Sequence, residues 1–213
     1  MVLRETWQIG SGSLTTGERR NSRAWERRRA EIVDEAARLF AAQGYHATGV
    51  AELGEAVGLG RGALYYYIES KENLLALIHD RVIVHVLVAG DRAVALDASA
   101  SERLRFLSHE LVNIIATYRD HVWVFLHEYR SLSGTAAGTF RASRHSFENS
   151  VETILIDGVN DGEFKIDNTR LSALAWLGLH NYVYIWFRPG GSFTVDMIAE
   201  EFSDTFLRGI IAR

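Results

Sequence analysis

Apolar residues recur at helical spacing along most of the chain. Ile32, Val33, Ala36, Leu39 and Phe40 share one face of a helix that the pattern starts near Ser22 to Trp25. Gly44 suits the left-handed position just past its end, with Tyr45 placed to fold back. Thr48 reads as the N-cap of a second, short helix that carries Val50, Leu53 and Val57 as a narrow stripe. Gly54 lies beside that stripe, where a missing side chain lets another helix come close. Gly58 ends the helix, and Leu64 and Ile68 mark the inner face of a third. Ser70 caps a fourth, KENLLALIHDRVIVHVLVAGDRA. Its valine-rich middle resembles a strand, but its length and the spacing of Leu74, Leu77, Ile78 and Arg81 select a helix. More helices are expected near 101–118, 120–130, 135–160, 168–187 and 194–211, with turn-forming GVNDGEF and RPGG between the later ones.

Composition narrows the reading. The single proline, Pro189, leaves long helices uninterrupted, in keeping with an all-α fold. The absence of cysteine excludes disulfides, thiolate zinc sites and cysteine nucleophiles. No N-terminal apolar run fits a signal peptide, and RVIVHVLVAG is too short to span a bilayer, so a cytoplasmic protein without a membrane partner is expected. The net charge of -4 is unevenly spread. Residues 1–30 hold seven arginines against three glutamates, a local +4, which leaves -8 for the rest. This is either a basic, anion-facing N-terminus or a solvated charge run. Residues 1–22, rich in Gly, Ser, Thr and Arg, read as a disordered basic tail.

The sequence GLGRGALYYYIESKENL poses the functional question. Successive residues of a helix lie about 100° apart. Tyr65, Tyr66 and Tyr67 therefore cannot all face one core. Two short helices joined by a glycine-containing turn, after one longer helix, spell a helix-turn-helix. The whole stretch ATGVAELGEAVGLGRGALYYYIESKENLL resembles the DNA-binding domain of the TetR family of bacterial transcriptional regulators, over about residues 25–80. Gly60, Gly54, Tyr67 and Ile68 depart from the residues common there.

The resemblance implies an N-terminal three-helix helix-turn-helix DNA-binding domain, over 23–71, and a larger C-terminal helical ligand-binding and dimerisation domain, over 72–213. It implies a repressor, dimeric on a palindromic operator in double-stranded DNA. Arg61 would meet a guanine or a phosphate, and Gly62 would let the backbone approach the duplex. Tyr65 and Tyr66 are offered as phosphate or sugar contacts, and one member of the Tyr65–Tyr67 triplet as a seat for the recognition helix. Lys71, in the first turn of the next helix, would clamp a phosphate, and Thr48 would donate to the opposite strand. Each tyrosine also has a plain packing role open to it, and Thr48 a plain capping role. The arginines at 19–29 either track DNA or remain in solvent.

In the body, Trp123 with His127, and Trp176 with His180 and Tyr184, recur at steps of four. Phe106, His109 and Phe147 are added as candidate lining of an apolar effector pocket, an ordinary aromatic core being the alternative. YIWFRPGG resembles a segment of TetR-type regulators that respond to acyl-CoA thioesters, which implies a lipid-like or acyl-CoA effector. Arg188 would otherwise cap its helix. Leu171, Leu174, Leu179 and Tyr182, with Ile198, Phe202, Phe206 and Ile210, mark the helices near 168–187 and 194–211 as a homodimer interface. No HExxH, G-x-S-x-G, phosphate loop or metal-ligand spacing is present, so neither an enzyme nor a cofactor is expected. His109-Glu110 and His127-Glu128 are adjacent on their helices and point apart.

Overall fold

In the computed structural model, residues 16–212 are described, with side chains from residue 22. Residues 1–15 of the expected tail, and the side chains of Arg19 and Arg20, lie outside the described residues. The first helix, α1, spans Thr16–Gln43, so it begins before the predicted start near Ser22. Its first turns are polar, and apolar periodicity gives no sign of them. Next come α2 (Val50–Ala56), α3 (Arg61–Ile68) and α4 (Lys71–Ala95). The body continues with α5 (Ala100–Thr117), α6 (Arg119–His127), a 3-10 turn at Tyr129–Ser131 and α7 (Gly134–Asn160). It ends with α8 (Thr169–Asn181), α9 (Val183–Trp186) and α10 (Val195–Ile210). Among the described residues no strand forms beyond one isolated bridge, Phe164 to Ile211, which ties the C-terminus to the loop after α7.

The element ends follow local chemistry. Gly44 has φ +90° and donates its N–H to the Phe40 carbonyl at 2.8 Å. Tyr45 then folds back edge-on to Phe40, with ring centroids 5.2 Å apart. Ser70 accepts from the Asn73 N–H, and Ser99 with Glu102 forms a capping box on α5. The one helix predicted over 168–187 breaks at Tyr182. There the run Tyr-Val-Tyr-Ile-Trp is β-branched and aromatic, and such residues lose side-chain freedom in a helix. Arg103 closes the other end of α4. It is buried, donates to the Ala93 and Val94 carbonyls at 3.0 Å each, and pairs with Asp157 at 2.8 Å. A cation there meets the negative end of the helix.

Two apolar cores result. The first joins Ile32, Ala36 and Phe40 of α1 to Leu53, Leu64 and Ile68. It extends past residue 71 to Leu74, Leu75 and Ile78 of α4, and is closed by Val124, Leu132 and Phe140 from the body. The second, larger core lies among α4, α5, α7, α8 and α10. α4 runs through both. α4 is long and apolar enough to cross a bilayer, where the sequence shows a shorter apolar run, but half of its most apolar stretch is buried inside the protein. Asp34 of α1 lies 3.0 Å from His121 of α6 and 3.7 Å from Arg81 of α4, a polar seam between the cores.

α7 passes so close to α5 at Gly158 that an added Cβ would sit 2.3 Å from the Phe164 ring and 2.8 Å from the Ala100 Cβ. Phe164 is itself buried and has little room to yield. Gly158→Ala should therefore cost about 1–3 kcal/mol by overpacking. A denaturant midpoint equal to that of the parent would show that Phe164 can move aside.

Candidate functional site

The turn between α2 and α3 sets the angle of α3. Gly58 has φ +66°, and the Leu59 N–H reaches the Gly54 carbonyl at 2.8 Å. A Cβ at Gly54 would stand 2.6 Å from the Leu59 carbonyl oxygen. The close approach expected at Gly54 is therefore that of the turn's own backbone, not of another helix. Leu64 and Ile68 are fully buried and fix one face of α3 inward. Arg61 and Gly62 lie on the exposed side, and a side chain at Gly62 would meet open space.

The three tyrosines take three environments. Tyr66 is 70% exposed. Tyr65 is half-buried at the edge of the first core, with the Arg61 guanidinium 5.7 Å above its ring. Tyr67 stacks on Trp25 of α1, with centroids 5.8 Å apart and planes at 27°. Arg29 lies 5.1 Å over the other aromatic partner in this stack, Trp25, and its Nε donates to the Tyr67 carbonyl at 3.2 Å. Arg28 donates to the Val57 carbonyl. Two of the arginines expected to track DNA or remain in solvent thus clamp α1 onto α2 and α3, while Arg23 and Arg27 stay exposed. Trp25 escapes a sequence reading because it lies some forty residues from its partner, outside any local pattern.

One expectation needs correction, and a second residue is partly committed within the chain. Thr48 is not the N-cap of α2. That position is Gly49, which supplies no side chain. Thr48 is fully buried, donates its hydroxyl to the Gly44 carbonyl at 2.9 Å and accepts from Gln43 at 3.2 Å. It braces the α1–α2 turn and is turned away from solvent. Lys71 is not wholly free for an anion. Its Nζ donates to the Tyr45 carbonyl at 2.5 Å and sits 4.3 Å over the Tyr45 ring. Burial lowers its pKa, against the pull of Glu128. An ammonium has three donors, so others remain after this anchor.

The expected pocket residues do not come together. His180 is fully buried between α8, α5 and α10. Its Nδ1 faces the Trp176 carbonyl at 2.8 Å and so carries the proton, while Nε2 accepts from the Ser108 hydroxyl at 2.7 Å. Burial pushes its pKa down to about 4, which keeps the ring neutral. Trp176 and His180 are core. Trp123 stacks on His127 at 4.4 Å, and the Tyr184 hydroxyl reaches His127 Nε2 at 3.2 Å. This cluster borders a surface cleft with Arg38 and Arg119, between α1 and α6. His109 pairs with Asp196 at the surface, and Phe106 lies under Arg92.

Of the eight, only Phe147 lines the body's apolar cavity, which has a volume of about 230 Å³. Its walls are mostly aliphatic: Val82, Ile83 and Val86 of α4, Leu111 and Ile115 of α5, and Leu177 of α8. Val122, Phe125 and Leu126 of α6 close one side, and Arg144, Glu148 and Asn181 are its polar groups. These aliphatics have the spacing of any helix core, so no sequence signal sets them apart.

The candidate interface residues also divide. Leu171, Leu174, Tyr182, Ile185, Phe193 and Met197 are exposed apolar groups on and beside α8 to α10. Ile198 is buried in the body core, and Phe202, Phe206 and Ile210 pack half-buried against it.

Known proteins share this arrangement. Residues 32–78 match the family described as bacterial regulatory proteins, tetR family, and residues 97–210 match a tetracyclin repressor-like C-terminal domain. The HTH-type transcriptional repressor KstR2 of Rhodococcus jostii (strain RHA1) is 31% identical over 86% of this chain and 91% of its own length. The crystal structure of the TetR family regulator PfmR from Thermus thermophilus superposes with a TM-score of 0.78 at 31% identity, over 83% of this chain and 97% of that one. That of AibR in complex with isovaleryl coenzyme A and operator DNA gives 0.75 at 25% identity, over 84% and 97%. The chain with the exposed α3 and the aliphatic cavity belongs to the TetR family of bacterial transcriptional regulators.

Proposed function

We propose that the protein is a cytoplasmic repressor that binds a palindromic operator as a homodimer and leaves it when an acyl-CoA or similar lipid-like effector enters the body cavity. The observation that carries this reading is the exposed outer face of α3. Arg61, Gly62 and Tyr66 face outward from a helix held by Trp25 and Arg29, while Arg28 holds the end of α2. A helix so held can lie in a major groove, with its N-terminal residues nearest the bases. Lys71 and the Tyr65 hydroxyl supply backbone contacts beside it. The exposed apolar face of α8, with Tyr182 and Met197, is the surface for the second subunit, whose two-fold axis would set two α3 helices on successive half-sites.

The cavity's lining suits a hydrocarbon. An apolar cavity of about 150 Å³ already accepts a benzene-sized guest, and this one is larger. AibR, whose structure contains isovaleryl coenzyme A and operator DNA, supports a thioester effector. Coupling to the DNA follows from shared elements. α4 and α6 wall the cavity, and the same helices place Leu74, Leu75, Ile78 and Val124 in the first core. An effector that favours a different spacing of α4 and α6 also moves α3, and repression falls by that difference in affinity. The protein acts by binding, not by catalysis.

The test is binding to the duplex upstream of the protein's own gene and to a scrambled duplex, over a salt series. Preferential binding that weakens steeply with salt is expected, as phosphate contacts release counterions. Equal affinity for both duplexes, with every acyl-CoA from butanoyl to palmitoyl leaving it unchanged, would refute the proposed reading.

A further inference from the structure

A second hollow, of about 380 Å³, lies against the apolar cavity. Arg144 and Glu148 of α7 line both, so the two spaces share a wall. The second hollow differs in charge. Arg130, Arg141 and Arg144 face it against one carboxylate, Glu148, so arginines and carboxylate sum to a local +2 on a chain whose net charge is -4. The placement follows from helix geometry. Arg141, Arg144, His145 and Glu148 stand at i, i+3, i+4 and i+7, one face of α7, and the 3-10 turn brings Arg130 opposite. Glu148 is already committed, to Arg144 at 3.1 Å and to Arg170. Arg130 and Arg141 enter no ion pair among the described residues.

We infer that this hollow binds the phosphate-bearing head of an effector whose acyl chain occupies the apolar cavity, with Arg130 and Arg141 as the cations that receive it. The inference rests on the reading of that cavity as the effector site. Guanidinium groups suit phosphates because they offer several donors in a fixed plane. Two unpaired arginines beside an apolar chamber match an amphiphile carrying more than one phosphate, as a coenzyme A thioester does. A free fatty acid has one carboxylate and leaves them unmatched. The Arg144–Glu148 pair stands where chain and head join. The thioester passes it with the head outside and the chain within.

The experiment compares octanoyl-CoA, octanoate and coenzyme A by calorimetry, on the full chain and on the R130A/R141A variant. Both arginines are exposed and unpaired, so the variant should keep its melting temperature and its operator affinity. The parent should bind octanoyl-CoA more tightly than octanoate. The variant should lose about ten- to a hundredfold in affinity for the thioester, as two charge-assisted hydrogen-bonding groups are removed, with a shallower salt dependence and with octanoate unchanged. Equal thioester affinity in parent and variant overturns the head-group site and leaves the cavity reading intact. Equal losses for thioester and octanoate also overturn it, since the variant would then have damaged the cavity. If no acyl-CoA from butanoyl to palmitoyl binds the parent, the cavity reading falls and the head-group site with it.

Discussion

Arg61→Ala should lower operator affinity by about ten- to a hundredfold at each half-site, while the melting temperature and the affinity for an effector stay at parental values. Arg61 is exposed at the first position of α3, pairs with no carboxylate among the described residues and lies 5.7 Å over the Tyr65 ring, so its loss leaves no buried charge unpaired. A bidentate arginine on a guanine is worth about 1–3 kcal/mol of discrimination against the wrong base. The loss should therefore be larger on the operator than on a scrambled duplex. A uniform loss on both, with the salt slope reduced by about one, would assign Arg61 to a phosphate instead. Trp25→Ala should act on the same readout by another route. It removes the surface on which Tyr67 stacks and should weaken binding to every duplex, because α3 is then less firmly held.

Acidification from about pH 7 to about pH 5 should cost about 2 kcal/mol of stability for each of His79 and His180. Burial pushes both imidazoles down to about 4 in the folded chain. In the unfolded chain an imidazole titrates near its ordinary value of about 6.5. As the pH falls the unfolded state takes up these protons first, so stability is complete above about pH 6.5 and is lost progressively toward pH 4. Asp80, whose carboxyl is raised by burial, works the other way at the acid end. His79 isolates the effect. It packs on Phe125 and Phe140, with centroids 5.4 and 5.0 Å away, and neither ring nitrogen has a partner among the described residues. His79→Phe should keep this packing and remove about 2 kcal/mol of the loss between pH 7 and pH 5. An unaltered slope of unfolding free energy against pH would remove His79 from the account.

What the sequence reveals depends on the range over which a residue acts. Gly44, Gly58 and Ser70 work within four residues of themselves, and each does in the structure what its neighbours predict. Leu64 and Ile68 show their buried face in the same way. Thr48 departs from its expected role by one position. A hydroxyl before a short helix looks like a cap, whereas here it bonds backward to Gly44. The apolar cavity of the body is the least legible part. Aromatic and histidine pairs at steps of four attract notice, yet Trp176 and His180 serve the core and Trp123 and Tyr184 border a surface cleft. The aliphatic walls that enclose space do so because α4, α6 and α8 stand slightly apart there, a distance no single helix encodes. The clamp of Trp25 on Tyr67 is hidden for the same reason.

The first core has a bearing on protein engineering. Its apolar lid is supplied by Val124, Leu132 and Phe140, more than forty residues beyond the helix-turn-helix. A chimera that joins this chain at Ser70 to another regulator's body would leave Leu74, Leu75 and Ile78 behind and present a bare apolar surface to whatever α6 and α7 the recipient provides. Transplanting its DNA specificity calls for the reverse operation: leaving the chain whole and exchanging only the outward residues of α3.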